Sequence, residues 1–353
     1  MKSIRKRLAA VLAALTLLVW CAAPAFALEV VDLSRTGSIK VSLYDSETSE
    51  AVGGGTLTLY RVAKVKKDNA NLSFVYPNGF EDCGVERGDL SGGELAGRFA
   101  EKIAARAIGQ IAGKADLIPE TDGTAEGLRR RLQEWGVDKG VVLPIATKPT
   151  QQTIINDWAA QQQDETLYCY GSVHPDAPDV LEELERIRQL GLHGIKLHPD
   201  YQGFFADEPR MLPIYRRCAQ LGLPVLFHAG FDPVSPQVRH ASPEALARIA
   251  EAVPELTLIA AHLGGVLQWD EAERLLVGRK NVYLDTAFAS HSIDPGQFER
   301  IVQRHGAERI LFASDCPWDS PVKIHRIMDD FALTPAQRSR IDWENALELL
   351  EQH

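Results

Sequence analysis

Between Thr36 and about Tyr76 apolar and polar positions alternate, first as Ile39-Lys40-Val41-Ser42-Leu43, then, after Gly53-Gly54-Gly55, through Thr56–Val62 and again through Leu72–Tyr76. A period of two, broken by Gly and Asn/Asp clusters, predicts short antiparallel strands with one buried face. The expected unit is a small partial all-β sandwich over residues 28–97. After Asp89 the period lengthens. Leu95, Phe99, Ile103, Ala107 and Ile111 recur at four-residue steps, which predicts a helix through Glu94–Ala112. From there one unit repeats: a polar-faced helix, a turn with Gly or Pro, and a short continuous apolar strand. The strands are Gly140–Ile145, Leu167–Val173, Gly194–Leu197, Pro224–Phe227, Leu258–Ala261, Val282–Leu284 and Ile310–Ala313, with helices such as Val180–Leu190 and Pro243–Ala252 between them.

A strand that is apolar at every position is buried on both faces, so these units predict a parallel sheet covered by helices. Two architectures repeat at this length, the TIM barrel and the doubly wound open sheet. No Gly-x-Gly-x-x-Gly follows any strand, which removes the main support for a dinucleotide fold. The span 101–353 also matches the roughly 250 residues typical of the barrel. The expectation is therefore an α/β chain: a TIM-type (β/α)8 barrel remnant with seven recognisable strands over 98–353, preceded by the partial sandwich. A barrel one strand short leaves two strand edges open, and open edges aggregate.

Composition sharpens this in two places. The first 27 residues carry Lys2, Arg5, Lys6 and Arg7, then the apolar run Leu8–Trp20, then Ala23-Pro24-Ala25-Phe26-Ala27, which is the layout of a secretory signal with its cleavage site. The run is too short to span a bilayer comfortably. Its removal leaves the chain four charges more negative than the −10 of all 353 residues. That balance excludes nucleic acid as the main partner. A secreted or cell-envelope location follows from the signal, with no membrane partner once it is removed. The four remaining cysteines, Cys83, Cys169, Cys218 and Cys316, form neither a disulfide framework nor a CxxC pair, so the barrel itself looks cytoplasmic in origin.

Candidate chemistry stands just past the strand ends: His174, His198, His228, His262, Asp285 and Asp315. The C-terminal ends of parallel strands share one mouth, where barrel enzymes build their sites. Imidazoles and a carboxylate converging there suit a divalent metal. His174, followed by Pro175-Asp176, reads instead as a hydrogen-bonded structural residue. Small residues crowd behind His228 in Phe227-His-Ala-Gly230 and behind His262 in Ala261-His-Leu-Gly-Gly265, and glycine there lets a ligand approach the backbone. Asp315 is costly to bury without a cation. Lys196 points the same way as His198, where it either pairs with a carboxylate such as Asp285 or holds a substrate acid group. In the loop Asp200–Arg210, Tyr201, Phe204 and Phe205 are placed to cover a small organic substrate. Arg210 is placed to meet its carboxylate, the alternative being a loop packed on the rim.

Two resemblances follow from these residues. Gly37–Val41, Asp45–Thr48 and Leu59–Tyr60 resemble the opening strands of a pilin-type, prealbumin-like domain. Such domains often form a Lys-to-Asn isopeptide bond; Leu43 stands at the lysine position here, so no crosslink is expected. Asp138–Thr147, Gly194–Pro199, Leu223–Gly230, Leu258–Gly265 and Ile310–Trp318 resemble the amidohydrolase-related family of the second type. That family includes metal-dependent hydrolases and aromatic-acid decarboxylases. The resemblance implies a small-molecule substrate and a divalent metal, zinc first and manganese second. It implies His228 as a metal ligand, His262 as the group that polarises water or substrate, and Asp315 as a ligand that also shuttles the proton.

The departure from that family is as informative as the match. The family opens on a strand ending in His-x-His or Glu-x-His, and no histidine precedes His174 in this sequence. A remaining metal set of His228, Asp315 and His198 is expected, with Lys196, Arg210 and Tyr201 toward the substrate. The expected function is a metal-dependent hydrolase or carboxy-lyase acting on a small carboxylate-bearing molecule, with a homo-oligomer as one assembly. The alternatives are a non-catalytic secreted or surface protein with a vestigial barrel, and a chimeric gene joined near Arg98–Glu101.

Overall fold

The computed structural model describes residues 117–351 continuously, together with segments 64–68 and 71–75 and helical positions at 102, 105, 107–109 and 111–113. The signal reading of 1–27 and the strands expected before residue 63 lie outside the described residues. The chain divides into two compact units, Met1–Ile108 and Gly109–His353. In the first, β1 (Lys64–Asp68) pairs antiparallel with β2 (Asn71–Val75), in register from Lys64↔Val75 to Asp68↔Asn71. β2 falls where alternation predicts a strand; β1, reading KVKKD, offers no apolar alternation to predict one from. The helical positions between 102 and 113 fall in and just past the segment predicted as helix.

The second unit carries all seven expected strands, parallel and neighbouring in chain order. They are β3 (Gly140–Val142), β4 (Leu167–Cys169), β5 (Ile195–Leu197), β6 (Val225–Phe227), β7 (Leu258–Ala260), β8 (Val282–Asp285) and β9 (Ile310–Leu311). β3 pairs with β4, and β5 to β9 form one continuous sheet. Beyond β4 the ladder reaches β5 through Gly171 N–H to Gly194 O at 2.8 Å and Lys196 N–H to Gly171 O at 2.8 Å. This is the TIM-barrel-like α/β arrangement. Among the described residues no helix is long and apolar enough to cross a membrane.

The continuous apolar strands resolve into two layers, because successive side chains point to opposite faces. Ile195, Leu197, Val225, Phe227, Leu258, Ala260, Val282, Leu284 and Ile310 pack outward with helix residues such as Leu184, Ile187, Ile214, Tyr215, Leu246 and Ile301. The residues between them, Leu226, Ile259, Tyr283 and Leu311, join Tyr168 and Tyr170 in a separate inner cluster. Leu349 and Leu350, on the last helix, complete that cluster. The covering helices start on side-chain caps: Ser242 accepts from Ala245 N–H ahead of Pro243–Ala252, and Asp294 accepts from Gln297 N–H ahead of Pro295–His305. Proline follows each cap, where its missing N–H costs nothing.

The outer edge of β9 is occupied. Leu311 O accepts from Thr286 N–H on the β8 side, so Ile310 O and Phe312 N–H face the other way. Phe312 N–H donates to Ile341 O at 3.0 Å, and the buried Asn345 side-chain amide donates to Ile310 O at 2.7 Å and Ala307 O at 2.6 Å. One of the two edges expected to be open is thereby satisfied by the C-terminal segment.

Candidate metal centre and acid–base site

Three strand ends deliver a polar residue to the mouth two positions above an inward-facing residue. Lys196 leads to His198, Leu226 to His228, and Tyr283 to Asp285. Past β5, His198 donates its backbone N–H to Gln202 Oε1 at 2.9 Å, at the start of the short helix Pro199–Gln202. Gln202 in turn donates to Ala146 O and Val173 O, which ties the ends of β3 and β4 to this turn. Past β6, Gly230 has φ 87, and a Cβ there would meet Val266 N at 2.3 Å. The close approach that the glycine allows is therefore made by the neighbouring loop's backbone. Past β7, His262 and Leu263 hold φ of 60 and 54, left-handed values that non-glycine residues adopt at a cost. The His262 N–H donates to Asp285 Oδ1 at 2.8 Å, and that oxygen also accepts from Ala287 N–H at 3.0 Å.

The imidazoles form one array. His198 stacks on His228 with ring centres 4.1 Å apart and planes 7° from parallel; Tyr201 stacks on the other side of His198 at 3.7 Å. His262 meets His228 edge-on at 5.0 Å. The hydrogen bonds fix the tautomers. His262 Nδ1 lies 3.1 Å from Ala287 O, which only accepts, so Nδ1 carries the proton and Nε2 the lone pair. His228 Nδ1, 3.1 Å from His262 Nε2, must then donate. That leaves a lone pair on His228 Nε2, a buried atom with no hydrogen-bond partner; His198 Nδ1 is another. Burial pushes His262 down to about 3 and is helped by the Lys196 charge. Burial, then the charges of His198, His262 and Lys196, push His228 well below its ordinary value, with the Phe231 backbone acting the other way. Burial and the Lys196 and His262 charges do the same to His198. Neutral imidazoles with free lone pairs are the form that binds a metal.

His198, His228 and Asp232 each bring one ligand atom within 4.8 Å of the others, and all three are buried, with exposures of 6%, 6% and 4%. They form a buried His/His/Asp group able to hold a metal. Asp232 has no counterpart in the strand-end pattern, because it stands on the loop four residues past His228. Its Oδ1 accepts from Val234 N–H and Ser235 N–H, both at 2.8 Å, and its Oδ2 accepts from Tyr201 Oη–H at 3.1 Å. Burial raises its carboxyl above the usual range. An acid beside Gly230 on a mouth loop is the signal that would have found it.

Asp315 sits in a second group. Burial pushes it up to about 7; the Lys196 charge opposes this, and the charges of Asp285, Asp319 and Asp232 add to it. Asp285 is raised to about 6 by burial, against the His262 N–H and Lys196. Lys196, 7% exposed, has its ammonium form disfavoured by burial and favoured by Asp315 and Asp285. Asp319 is fully buried, accepts from Ser320 N–H at 2.8 Å and takes a short hydrogen bond from the Ser290 hydroxyl. Phe288, with φ 59, stacks on His291 at 4.1 Å.

The remaining expected substrate residues divide. Tyr201 joins the histidine array. Phe204 packs in the outer core, and Phe205 lies exposed against the His240 ring. Arg210, 46% exposed, pairs with Glu208 at 2.5 Å and with Asp176, so its guanidinium is committed to neighbours on the rim. His174 donates its N–H to Gln152 Oε1 at 3.1 Å and accepts at Nδ1 from Asp176 N–H at 3.2 Å.

A family model described as amidohydrolase matches residues 98–352. No curated protein matches the chain. Solved structures share the fold. A TIM-barrel protein from Bordetella bronchiseptica is 19% identical with a TM-score of 0.58, over 70% of this chain and 92% of that one. A 2,6-dihydroxybenzoate decarboxylase from Rhizobium is 16% identical with a TM-score of 0.51, over 64% and 87%. A 5-carboxyvanillate decarboxylase from Novosphingobium aromaticivorans, with bound manganese, is 19% identical with a TM-score of 0.52, over 63% and 80%.

Proposed function

The chain belongs to the amidohydrolase family, and from that premise we propose that it is a divalent-metal-dependent hydrolase or carboxy-lyase of small acid-bearing molecules, working at the C-terminal mouth of its barrel. The observation that carries this reading is the unpartnered lone pair on buried His228 Nε2, fixed by the tautomer chain from Ala287. A desolvated acceptor left unmade costs about 1–3 kcal/mol unless something occupies it. The decarboxylases of aromatic acids that share the fold support a carboxylated ring as substrate and manganese as the metal.

A divalent ion held by the histidine array would supply positive charge that polarises a substrate carbonyl or acidifies a water. The chain's own residues do the rest. Asp315, held near 7, changes protonation at neutral pH. In decarboxylation it gives its proton to the ring carbon as the carbon–carboxylate bond breaks and carbon dioxide leaves. In hydrolysis it takes a proton from the attacking water. His262 aims His228 by accepting a hydrogen bond from its Nδ1–H, and Asp285 holds His262 through the backbone N–H. Lys196 is the cation acting on both acids and is placed to receive a substrate carboxylate or to keep Asp315 ionised.

One observation favours a vestigial barrel instead: the paired first-strand ligands implied by the family resemblance are missing from this sequence. One experiment decides. The purified chain is stripped with chelator, reloaded with manganese or zinc, and assayed for carbon dioxide release from 2,6-dihydroxybenzoate and for hydrolysis of aryl esters and lactones. Turnover that appears on reloading supports the enzyme. A chain that takes up no metal and turns over nothing sinks it.

A further inference from the structure

We propose that Phe288, on the loop after β8, is a specificity-determining residue: its ring, backed by His291, forms the wall against which the aromatic ring of a substrate acid lies. The inference rests on the acid-bearing substrate of the reading above and names what holds the body of that substrate. Backbone strain marks the position. Among the described residues, the non-glycine residues with left-handed φ are His262, Leu263, Leu267, Phe288 and Asp315, all on the loops past β7, β8 and β9. Such strain gathers at functional sites, and a bulky residue such as Phe288, at φ 59, adopts it only where its surroundings enforce it. Here they do. The Thr286 hydroxyl donates to Ala313 O at 2.8 Å and accepts from Ala313 N–H at 2.9 Å. Phe288 N–H donates to Ser314 O at 3.3 Å, on the residue before Asp315. The Phe288 backbone is thus stitched beside Asp315, while its ring meets the His262 ring edge-on at 6.3 Å. By backbone and by ring it adjoins the acid and the imidazole to which the chemistry is assigned. The Phe288 ring is half-buried, and His291 stacks on it with centres 4.1 Å apart and planes 17° from parallel. His291 is steadied in turn by the buried Asp319, 3.7 Å from its Nε2. The rings of Tyr201, His198, His228, His262, Phe288 and His291 make one unbroken run of contacts, in which Phe288 is the member without a polar atom. A flat substrate ring gains edge and face contacts from such a wall that a puckered aliphatic acid of the same size does not make.

The test measures binding apart from turnover, with two acids matched in charge and carbon count: benzoate, which is flat, and cyclohexanecarboxylate, which is puckered. Full-length wild type, Phe288→Leu, Phe288→Tyr and His291→Ala are titrated with each acid in manganese-containing buffer, and dissociation constants are read from the ligand NMR signals. Melting curves verify that each variant folds. Wild type is expected to prefer benzoate. F288L keeps an apolar side chain but lowers the benzoate-to-cyclohexanecarboxylate preference by about 2- to 12-fold, the worth of an aromatic pair beyond its buried area. F288Y restores the ring and keeps the preference within about twofold. A merely structural phenylalanine would move the two acids together or not at all, so an unchanged ratio in folded F288L overturns the inference. Should F288L fail to fold, H291A decides, because it strips the backing ring from the stack: a fall of roughly twofold or more supports the wall, and an unchanged ratio overturns it. A wild type that binds neither acid, or both alike, overturns the inference even where metal-dependent turnover is found. A wild type that shows the preference but turns over nothing after metal reloading overturns the metal-dependent reading and leaves the wall in place.

Discussion

The floor and the mouth of the barrel are built from the same strands, two to four residues apart, and obey opposite rules. On the floor, Leu226, Ile259, Tyr283 and Leu311 close on Leu349 and Leu350. At the mouth, His198, His228, His262 and Asp285 adjoin one another, His198 Nδ1 and His228 Nε2 are buried without a partner, and His262 and Asp315 hold left-handed backbone. Stability is concentrated below and chemistry above. The mouth is affordable because the floor and the helix-facing layer carry the fold, and strain of about 1–3 kcal/mol per site is typical of functional positions.

The largest expected effect is at the mouth. Asp315→Asn should lower turnover by about 10²–10⁴, the usual worth of a general acid or base, equivalent to about 2.7–5.5 kcal/mol of barrier. The fold should survive it. The same variant separates two opposing pH responses. Asp315 titrates at about 7 when folded against 3.8 as a free carboxyl, so the folded chain holds the extra proton between those values. Its contribution to stability is complete below about pH 4 and is lost as pH rises through 7. His262, pushed down to about 3 from 6.5, does the reverse: its contribution is complete above 6.5 and is lost as pH falls. Thermal melts of the metal-free chain from pH 4 to 8 should therefore show D315N gaining on wild type as pH rises. Parallel curves would refute the raised titration of Asp315.

Next comes the floor. Ile259→Ala, at a fully buried inner position, should cost about 2–5 kcal/mol in denaturant melts. Manganese affinity of the fraction still folded should not change. An affinity that collapses with the floor would mean that the two regions are one cooperative unit.

How far each region is legible in sequence follows from the same contrast. The seven strands can be read because burial on both faces forces apolar residues at nearly every position, Lys196 in β5 being the main exception, and the strand-end pattern then picks out His198, His228, His262, Asp285 and Asp315. Asp232 cannot be counted to. It reaches the site through an Asx turn onto Val234 and Ser235, and loop geometry has no period. The stacking of Tyr201 on His198 is hidden for the same reason: a four-residue helix interrupts the loop from which Tyr201 was expected to act. Arg210 pairs with Asp176 and Glu208, a contact between separate loops that no spacing in the sequence announces. β1 escapes notice because three of its five residues are charged lysines and one is aspartate.

The third expected effect is at the β9 edge. Asn345→Ala removes both donors to Ile310 O and Ala307 O, leaving buried carbonyls that cost about 1–3 kcal/mol. It also bares a strand edge, and edges recruit other strands. Light scattering during a slow thermal ramp should rise earlier in the variant than in wild type. Equal onset would place the solubility of this barrel elsewhere.

The smallest effect tests the boundary of the mouth. Arg210 stands between Asp176 and Glu208 at about half exposure, and exposed ion pairs contribute about 0–1 kcal/mol. Arg210→Ala should leave the melting curve within that margin. Because the guanidinium is committed on the rim, KM for a carboxylated substrate should move less than threefold, whereas Lys196→Met should move KM, kcat or both by far more. If R210A instead raises KM tenfold with kcat unchanged, Arg210 leaves its carboxylate partners when substrate arrives. The mouth would then extend to the loop after β5, and the line between chemistry and scaffold would run one layer further out.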